Sequence, residues 1–279
     1  MMKLITRLVV VFLIQLKAVE GQKLDHNLHQ VKIRKEKLQD YDRIIGPVEY
    51  RERRVLSVTF SLSITRLVYA DTKKQTLTLE AWEVKAWNDE YLKWKPKNFG
   101  GVGRTIFAPD EIWVPDIMLY NSANSPDSLN NLPTKHVTNV YVKNSGDCLW
   151  FTPKTYTSNC MMNVKYWPID EQVCTLTFGS WTYFDHEMKI EPLTLTENDT
   201  DTVLPSNGEW EIKSIKYVTG KTDHSNCCDG NYSTISYHIT IARKPAHLLF
   251  YLTPPSVILG ILTLMSFFIP TESGERIVL

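Results

Sequence analysis

Two cysteines, Cys160 and Cys174, enclose thirteen residues, and a bond between them would close a rigid, hairpin-like loop. Such a bridge would stabilise the fold by about 3 kcal/mol in the chain-entropy account. The loop contains Trp167-Pro168-Ile169-Asp170, a bulky apolar tip that is stiffened by a proline and has a carboxylate beside it. These residue types are suited to pressing against another surface. Spacing alone does not establish the pairing, and any secreted domain could use such a staple.

A second pair of cysteines, Cys227 and Cys228, are sequence neighbours. Their Cα atoms lie about 3.8 Å apart across a trans peptide, closer than the roughly 4.4 Å minimum of an ordinary disulfide. A bond between them would be strained and would stiffen the tip of a loop. In a secreted chain without another ligand cluster nearby, this bridge is favoured over two free thiols or a metal pair.

Aromatic residues lie in motifs that suggest binding of a cation by ring faces. Tyr120 ends WVPDIMLY, Trp181 is the centre of GSWTYFD, and Tyr232 follows the adjacent cysteines. Electron-rich rings on loops or strand ends attract a quaternary ammonium at about 0.5–2 kcal/mol per good contact. Each ring taken alone is more often a core residue than a ligand contact. The sequence therefore suggests an aromatic cage without establishing one.

Composition and motifs exclude several classes of function. The 31 basic and 31 acidic side chains balance, so no net charge favours nucleic acid. The seven histidines and the carboxylates lack metal-ligand spacing, and GGVGRT at 100–105 lacks the lysine and the preceding apolar strand of a phosphate loop. We therefore expect no enzyme activity, no cofactor and no metal site.

The ends of the chain predict export and membrane insertion. Residues 1–21 read as a signal peptide, because Lys3 and Arg7 precede an apolar run too short to span a bilayer. Residues 247–270 are predicted to form a transmembrane helix, and 271–279 to begin a second span that is cut off. The glycosylation sequons at Asn198 and Asn231 agree with export.

Between these ends, residues 22–246 are predicted to form one all-β, immunoglobulin-like sandwich with a short N-terminal helix over 24–42. About ten short strands are expected, and alternation is clearest in SVTFSLSI at 57–64 and ISYHITIA at 235–242. In TLTLEAWEVKAW at 76–87 the apolar residues change phase at Trp82. Such a slip predicts a bulge or a strand that passes between burial environments.

The motifs together resemble the Cys-loop ligand-gated ion channels, and in particular the α-type nicotinic acetylcholine receptor subunits. The resemblance runs from about residue 26 to 279 through DYDRIIGPV, WVPDIMLYN, the Cys-loop, GSWTY, SNGEW, the adjacent cysteines, ARKP and PTESGER. It implies a principal agonist-binding face and a complementary face offered to a neighbouring subunit. The principal face would comprise Tyr120, Trp181, Tyr232, Cys227 and Cys228, and the complementary face Trp82, Leu149 and Phe151. The family has a tyrosine where this chain has Ser225, so one wall of the cage is missing.

The resemblance also implies disulfides Cys160–Cys174 and Cys227–Cys228, with Cys148 as a free thiol. Trp167, Pro168 and Asp170 would rest on the membrane-side helices, and Arg243 would link the domain to the pore. Glu275 matches the acidic residue at the inner mouth of cation-selective members, where a ring of carboxylates favours cations.

The first hypothesis is therefore a subunit of an acetylcholine-gated, cation-selective channel. It would act as a homo- or hetero-pentamer in the plasma membrane, at a synaptic or postsynaptic site, with an extracellular domain that binds acetylcholine or a related quaternary ammonium. The second is a truncated, pore-less isoform that sequesters ligand or traps partner subunits. A third, a single-pass adhesion ectodomain, is disfavoured because the Cys…Trp…Cys spacing of that fold is absent.

Overall fold

The N-terminal part of the domain is a single helix. The computed structural model describes residues 27–47, 55–123, 138–193, 206–223 and 230–268. Helix α1 spans 27–38, within the predicted range. Ile33 is its fully buried apolar residue, whereas Leu28 and Val31 stay exposed. Leu38 also packs against the core, so the helix lies on the domain surface with its apolar contacts on one side.

Ten strands of the described residues form two sheets, which confirms the predicted β-sandwich. The strands are β1 (Leu56–Asp71), β2 (Thr76–Asn88), β3 (Arg104–Phe107), β4 (Ile117–Leu119), β5 (Val140–Lys143), β6 (Asp147–Asn159), β7 (Glu171–Ser180), β8 (Met188–Pro192), β9 (Trp210–Asp223) and β10 (Asn231–Arg243). Short 3-10 helices lie at Glu90–Leu92 and Pro96–Phe99. One sheet has the order β3-β5-β6-β2-β1-β8 and the other β4-β7-β10-β9. The pairing of β1 with β8 is parallel, and the other strand pairs are antiparallel.

The core lies between the sheets, where alternate residues of each strand meet. In β1 the inward residues Val58 and Phe60 are fully buried, and in β10 Ile235, Ile239 and Ile241 are equally inaccessible. The period-two patterns in these strands therefore predicted their buried faces correctly.

Of the two alternatives predicted for the phase change in β2, a bulge or a passage between burial environments, the bulge is wrong. β2 pairs with β6 from Thr76 to Asn88 without a register shift, so its pleat is continuous. The irregularities lie in the pairing with β1, between Ile64 and Arg66 and between Leu67 and Tyr69. In β2 itself the apolar phase changes because Trp82 faces outward, while its neighbour Glu83 is buried.

The disulfide between Cys160 and Cys174 closes the predicted loop between β6 and β7. Both cysteines are buried, so the bond anchors the base of the loop in the core. Cys148 is a buried free thiol, as the resemblance implied. Burial raises the pKa of this thiol well above its ordinary value, so it stays protonated.

Helix α2 (Ala246–Ser266) follows β10. Its window Leu249–Ser266 has a mean hydropathy of 1.6, and none of its residues is buried in the described chain. Twenty-one residues extend about 30 Å along a helix axis, which is enough to cross the hydrocarbon core of a bilayer. By length and composition, α2 is a candidate membrane span that contains Pro254 and Pro255.

Replacing Cys160 and Cys174 together by alanine should lower the free energy of unfolding by about 3 kcal/mol, because a loop with a sequence separation of 14 is no longer constrained in the unfolded chain. Thermal unfolding of the detergent-solubilised chain measures the change. Cys148→Ala is the control, since it removes one small buried side chain and no cross-link. A double variant that unfolds at the parent temperature would contradict the expectation.

Candidate functional site

Tyr120 and Trp181 come together at one end of the four-stranded sheet. β4 pairs with β7 in the antiparallel register Ile117↔Ser180 and Leu119↔Phe178, so Tyr120 lies beside Thr177 and Trp181 follows the last residue of β7. The Tyr120 ring reaches back along β7, over Gly179, toward Trp181. Their ring centroids lie 6.3 Å apart, with ring planes at 75°. This is the edge-to-face arrangement that aromatic rings prefer. Trp181 keeps 68% of its surface exposed, so most of its indole is open to solvent.

The ring of Tyr120 lies directly over Gly179. A Cβ atom at Gly179 would lie 2.4 Å from Cζ and from the hydroxyl oxygen of Tyr120, which is closer than two heavy atoms can approach. Glycine is therefore required because the ring must cross the backbone of β7. Gly179 is the first residue of the GSWTYFD motif, but the sequence gives no signal of its role.

The Tyr120 hydroxyl acts as a neutral donor. It donates a hydrogen bond to the Ser180 carbonyl. Burial, with smaller contributions from the Asp116 carboxylate and the Tyr232 hydroxyl, raises the pKa of Tyr120 to about 12. The hydroxyl therefore stays protonated at neutral pH, which preserves its hydrogen bond to Ser180.

Asp116 accepts hydrogen bonds from the residues on both sides of Trp181. Its Oδ1 accepts from Ser180 Oγ at 2.6 Å, and its Oδ2 accepts from the Thr182 amide at 2.7 Å. The predicted site residues did not include Asp116, although the acidic residue of WVPDIMLY was visible in the sequence. Its effect is to hold the Trp181 turn in one conformation.

Tyr232 lies on β10 and is buried, unlike Trp181. Its ring centroid is 5.1 Å from that of Phe184, which sequence reasoning did not single out. Phe184 also covers Gly230, where a Cβ atom would meet its ring at 2.5 Å. Tyr232 is therefore held by its packing against Phe184.

The predicted complementary residues lie on the outer face of the six-stranded sheet. Trp82 is on β2, whereas Leu149 and Phe151 are on β6, in the register Ala86↔Leu149 and Val84↔Phe151. Trp82 is 55% exposed and Phe151 46% exposed. Large apolar side chains grouped on an exposed sheet face are typical of a protein interface. The group faces away from Tyr120 and Trp181, because the two sets lie on opposite outer faces of the sandwich.

Asp170, at the end of the Cys-loop, forms a buried ion pair with Arg243. Arg243 Nε donates to Asp170 Oδ1 at 2.7 Å and Nη2 to Oδ2 at 3.4 Å, while Nη1 donates to Glu209. The guanidinium carbon lies 4.1 Å from the centre of the Trp210 ring. One cation thus joins the Cys-loop, the start of β9 and the end of β10, immediately before α2.

The pKa of Asp170 reflects this pairing. Burial by itself would raise it, but hydrogen bonds from Arg243 and Gln172 hold the pKa below its ordinary value. The carboxylate is therefore ionised at neutral pH.

The tip of the Cys-loop is apolar and exposed. Trp167, with Pro168 beside it, stays half-exposed, and large side chains around it are open to solvent: Met161, Val164, Tyr166 and Ile169. The structure thus separates the predicted coupling residues into a buried anchor, Asp170 with Arg243, and an exposed tip, Trp167 with Pro168.

Four predicted residues lie outside the described part of the chain: Cys227, Cys228, Asn198 and Glu275. Asn231 is the first residue of β10 and is exposed. Within the described ranges, no group of three His, Cys, Asp or Glu residues could hold a metal ion.

Asp170→Asn should lower the free energy of unfolding by about 3–5 kcal/mol, because it leaves the buried guanidinium with less compensating charge. The pKa of Asp170 is lowered in the folded state, so its contribution to stability is complete above the unfolded pKa of about 3.9 and is lost as pH falls through the folded value.

Thermal unfolding of the solubilised chain between pH 7 and pH 3 tests both effects. The parent should lose stability with acid more steeply than the Asn variant. Glu211→Gln is the matched control, because Glu211 pairs with Lys213 on the surface. If the Asn and Gln variants behave alike, Asp170 is not the buried anchor described above.

Comparison with known proteins agrees with this geometry. The family described as "neurotransmitter-gated ion-channel ligand binding domain" matches residues 30–245. The chain is 35% identical over 240 residues to acetylcholine receptor subunit beta-type acr-3 of Caenorhabditis elegans, covering 86% of this chain and 46% of that protein. It is 34% identical over 252 residues to neuronal acetylcholine receptor subunit alpha-5 of Bos taurus, covering 90% and 50%. For neuronal acetylcholine receptor subunit non-alpha-2 of Carassius auratus, identity is 33% over 243 residues, covering 87% and 50%.

The chain spans about half the length of the curated relatives it matches. The matching family is one of receptor domains and not of enzymes, in agreement with the sequence prediction. Since the match covers most of the sandwich, from within α1 to the end of β10, the chain belongs to the neurotransmitter-gated ion-channel ligand-binding domain family, with nicotinic acetylcholine receptor subunits as its relatives.

Proposed function

We propose that this chain is a subunit of an acetylcholine-gated, cation-selective channel, and that it binds a quaternary ammonium in an aromatic cage between subunits. The observation that carries the proposal is the ring contact of Tyr120 with the open indole of Trp181. A quaternary ammonium has no hydrogen to donate, so ring faces rather than oxygen acceptors are its natural partners.

The two outer faces of the sandwich divide the cage between subunits. Tyr120, Trp181 and Tyr232 would form the principal side, together with a loop tip closed by Cys227 and Cys228. Trp82, Leu149 and Phe151 of the next subunit would form the complementary side. Trp82 and Phe151 are exposed in the single chain, and a neighbouring subunit would bury them.

The relatives include subunits named alpha and subunits named beta-type. The assignment to the α type therefore rests on the adjacent cysteines Cys227 and Cys228. Homologous subunits would complete a homo- or hetero-pentamer in the plasma membrane, at a synapse, with the sandwich outside the cell. Ser225, where the family has a tyrosine, would leave the cage more open and reduce acetylcholine affinity.

The lower end of the domain would transmit binding to the membrane. Arg243 lies three residues before α2 and is tied to the Cys-loop through Asp170, so movement of β10 would move the loop. The exposed tip with Trp167 and Pro168 would contact membrane helices. Glu275 would contribute to a carboxylate ring that favours cations.

Trp181→Ala should weaken binding of a quaternary ammonium by about 10-fold or more, since it removes a whole cation–π contact. Trp181→Phe should lose less, because a smaller ring face remains. The measurement is saturation binding of a radiolabelled cholinergic ligand to membranes that hold this chain assembled with a nicotinic partner subunit. Tyr69→Ala is the control, because Tyr69 is an exposed aromatic of β1 that is not among the residues proposed to line the cage. Unchanged affinity in the Ala variant would refute the cage.

Gly179→Ala should also weaken ligand binding by about 10-fold, because the added methyl group displaces the Tyr120 ring from β7. Gly220→Ala is the matched control. Gly220 also lies in a strand of the same sheet, and its added Cβ would sit at an ordinary 3.7 Å from Thr234 Oγ1. The same binding assay applies. Equal affinities of the two variants would mean that the position of Tyr120 does not govern binding.

A further inference from the structure

A buried ion pair lies on the inner face of β2. The Nζ of Lys85 is 2.9 Å from Oε1 of Glu83, and their side chains are only 4% and 2% exposed. Burying two charges in a sandwich core is costly, so each needs nearly all of its hydrogen-bond partners. Those partners differ for the two residues.

Glu83 has partners besides Lys85. Lys154 Nζ lies 3.1 Å from Oε2, and the Tyr156 hydroxyl donates to the same oxygen. Burial alone would raise the pKa of Glu83, but Lys85, Lys154 and Tyr156 together lower it to about 2. Glu83 therefore keeps two hydrogen-bond partners, Lys154 and Tyr156, if Lys85 is replaced.

Lys85 reaches across the core to the other sheet. Its ammonium donates to the Pro115 carbonyl at 3.2 Å and to the Ile117 carbonyl at 3.5 Å. With Glu83 these make three oxygen acceptors for the three hydrogens of an ammonium group. The ring of Trp150 lies 5.6 Å from Nζ and covers the same cation. The direct hydrogen bonds from Lys85 to the opposite sheet thus go to the two residues that flank Asp116.

We infer that Lys85 is a positioning residue for the ligand site: it holds the 115–117 backbone so that Asp116 can clamp the Trp181 turn and β4 can deliver Tyr120. The connections run from Lys85 to the Pro115 and Ile117 carbonyls, and from Asp116 to Ser180 and Thr182. This inference rests on the proposed function for its link to ligand binding, and on the geometry alone for its link to the loop.

The inference also connects the two faces of the chain. Lys85 and Trp82 lie on the same strand, one facing the core and the other facing outward. β2 would therefore carry the complementary face on its outer side and support the principal face of the same subunit from its inner side.

Lys154 provides a matched control. Lys85 and Lys154 both pair with Glu83, but none of the hydrogen bonds of Lys154 goes to the 115–117 segment. A role limited to neutralising Glu83 would make Lys85→Met and Lys154→Met similar in effect. A positioning role makes them differ at Tyr120 and Thr182.

Hydrogen–deuterium exchange of the full chain in detergent tests this difference without any ligand. The reporters are the Tyr120 amide, bonded to the Thr177 carbonyl, and the Thr182 amide, bonded to Asp116. Lys85→Met should speed their exchange by about 10-fold, whereas Lys154→Met and the reference amides of β10 should stay near the parent rates. Unchanged reporters in Lys85→Met, or an equal increase in Lys154→Met, would overturn the inference.

A second variant covers the case in which Lys85→Met loosens the whole fold. Glu83→Gln combined with Lys85→Met removes both buried charges, which often restores stability, yet it still lacks the contacts to Pro115 and Ile117. Its reporter amides should exchange about 10-fold faster while β10 stays protected. Parent-like reporters in this variant would overturn the inference.

Ligand binding separates this inference from the proposed function. In the assembled receptor, Lys85→Met should weaken tetramethylammonium binding by about 10-fold, with Lys154→Met within about twofold of the parent. If the parent itself binds no quaternary ammonium, the proposed function fails, and the exchange rates alone decide the role of Lys85 at the loop. Normal affinity in a Lys85→Met receptor whose parent binds the ligand would overturn the positioning role.

Discussion

A cation inside a protein must be surrounded by oxygen acceptors, and this requirement organises the sandwich at two places. Lys85 takes its acceptors from β2 and from the segment before β4. Arg243 takes its acceptors from the Cys-loop and the start of β9. Because each set of acceptors lies on separate elements, each cation fixes the relative position of those elements. The Lys85 contacts lie next to the segment that carries the aromatic site, and the Arg243 contacts lie next to α2.

The same requirement explains where sequence reasoning succeeded and where it failed for the fold. In β1, and in β10 from Ile235 to Ala242, the buried residues are apolar, so alternation identified the inner face directly. In β2 the inner face includes Glu83 and Lys85, whereas Trp82 faces outward. A rule that places apolar residues inside therefore predicts a bulge where the strand is regular. Glu83 and Lys85 can be buried because Lys154 on β6 pairs with Glu83 and the Pro115 carbonyl accepts from Lys85, and these partners are visible only in the fold.

For the candidate site, the sequence supplied residue types and the fold supplied their neighbours. Tyr120 and Trp181 were predicted from motifs and resemblance, and the pairing of β4 with β7 brings their rings into contact. The roles of Gly179 and Phe184 depend on distances across strands, which no local pattern contains. Asp116 is the acidic residue of its motif and could have been suspected from the sequence. Its role as a hydrogen-bond acceptor depends on Ser180 and Thr182, which only the fold brings next to it.

The placement of the two aromatic groups constrains how copies of such a domain can combine. The Trp82 group and the Trp181 group lie on opposite outer faces, about one sandwich thickness apart, so they cannot line one pocket within one chain. A pocket that needs both must take one face from each of two chains. Such a contact joins two different surfaces and is therefore heterologous, and repeated heterologous contacts close into a ring when the rotation between neighbours allows it. For the proposed function, the ligand site and the ring of subunits therefore both follow from the placement of the two aromatic groups on opposite faces of the sandwich. A ligand bound between two chains would contact β2 of one chain and β4, β7 and β10 of the other.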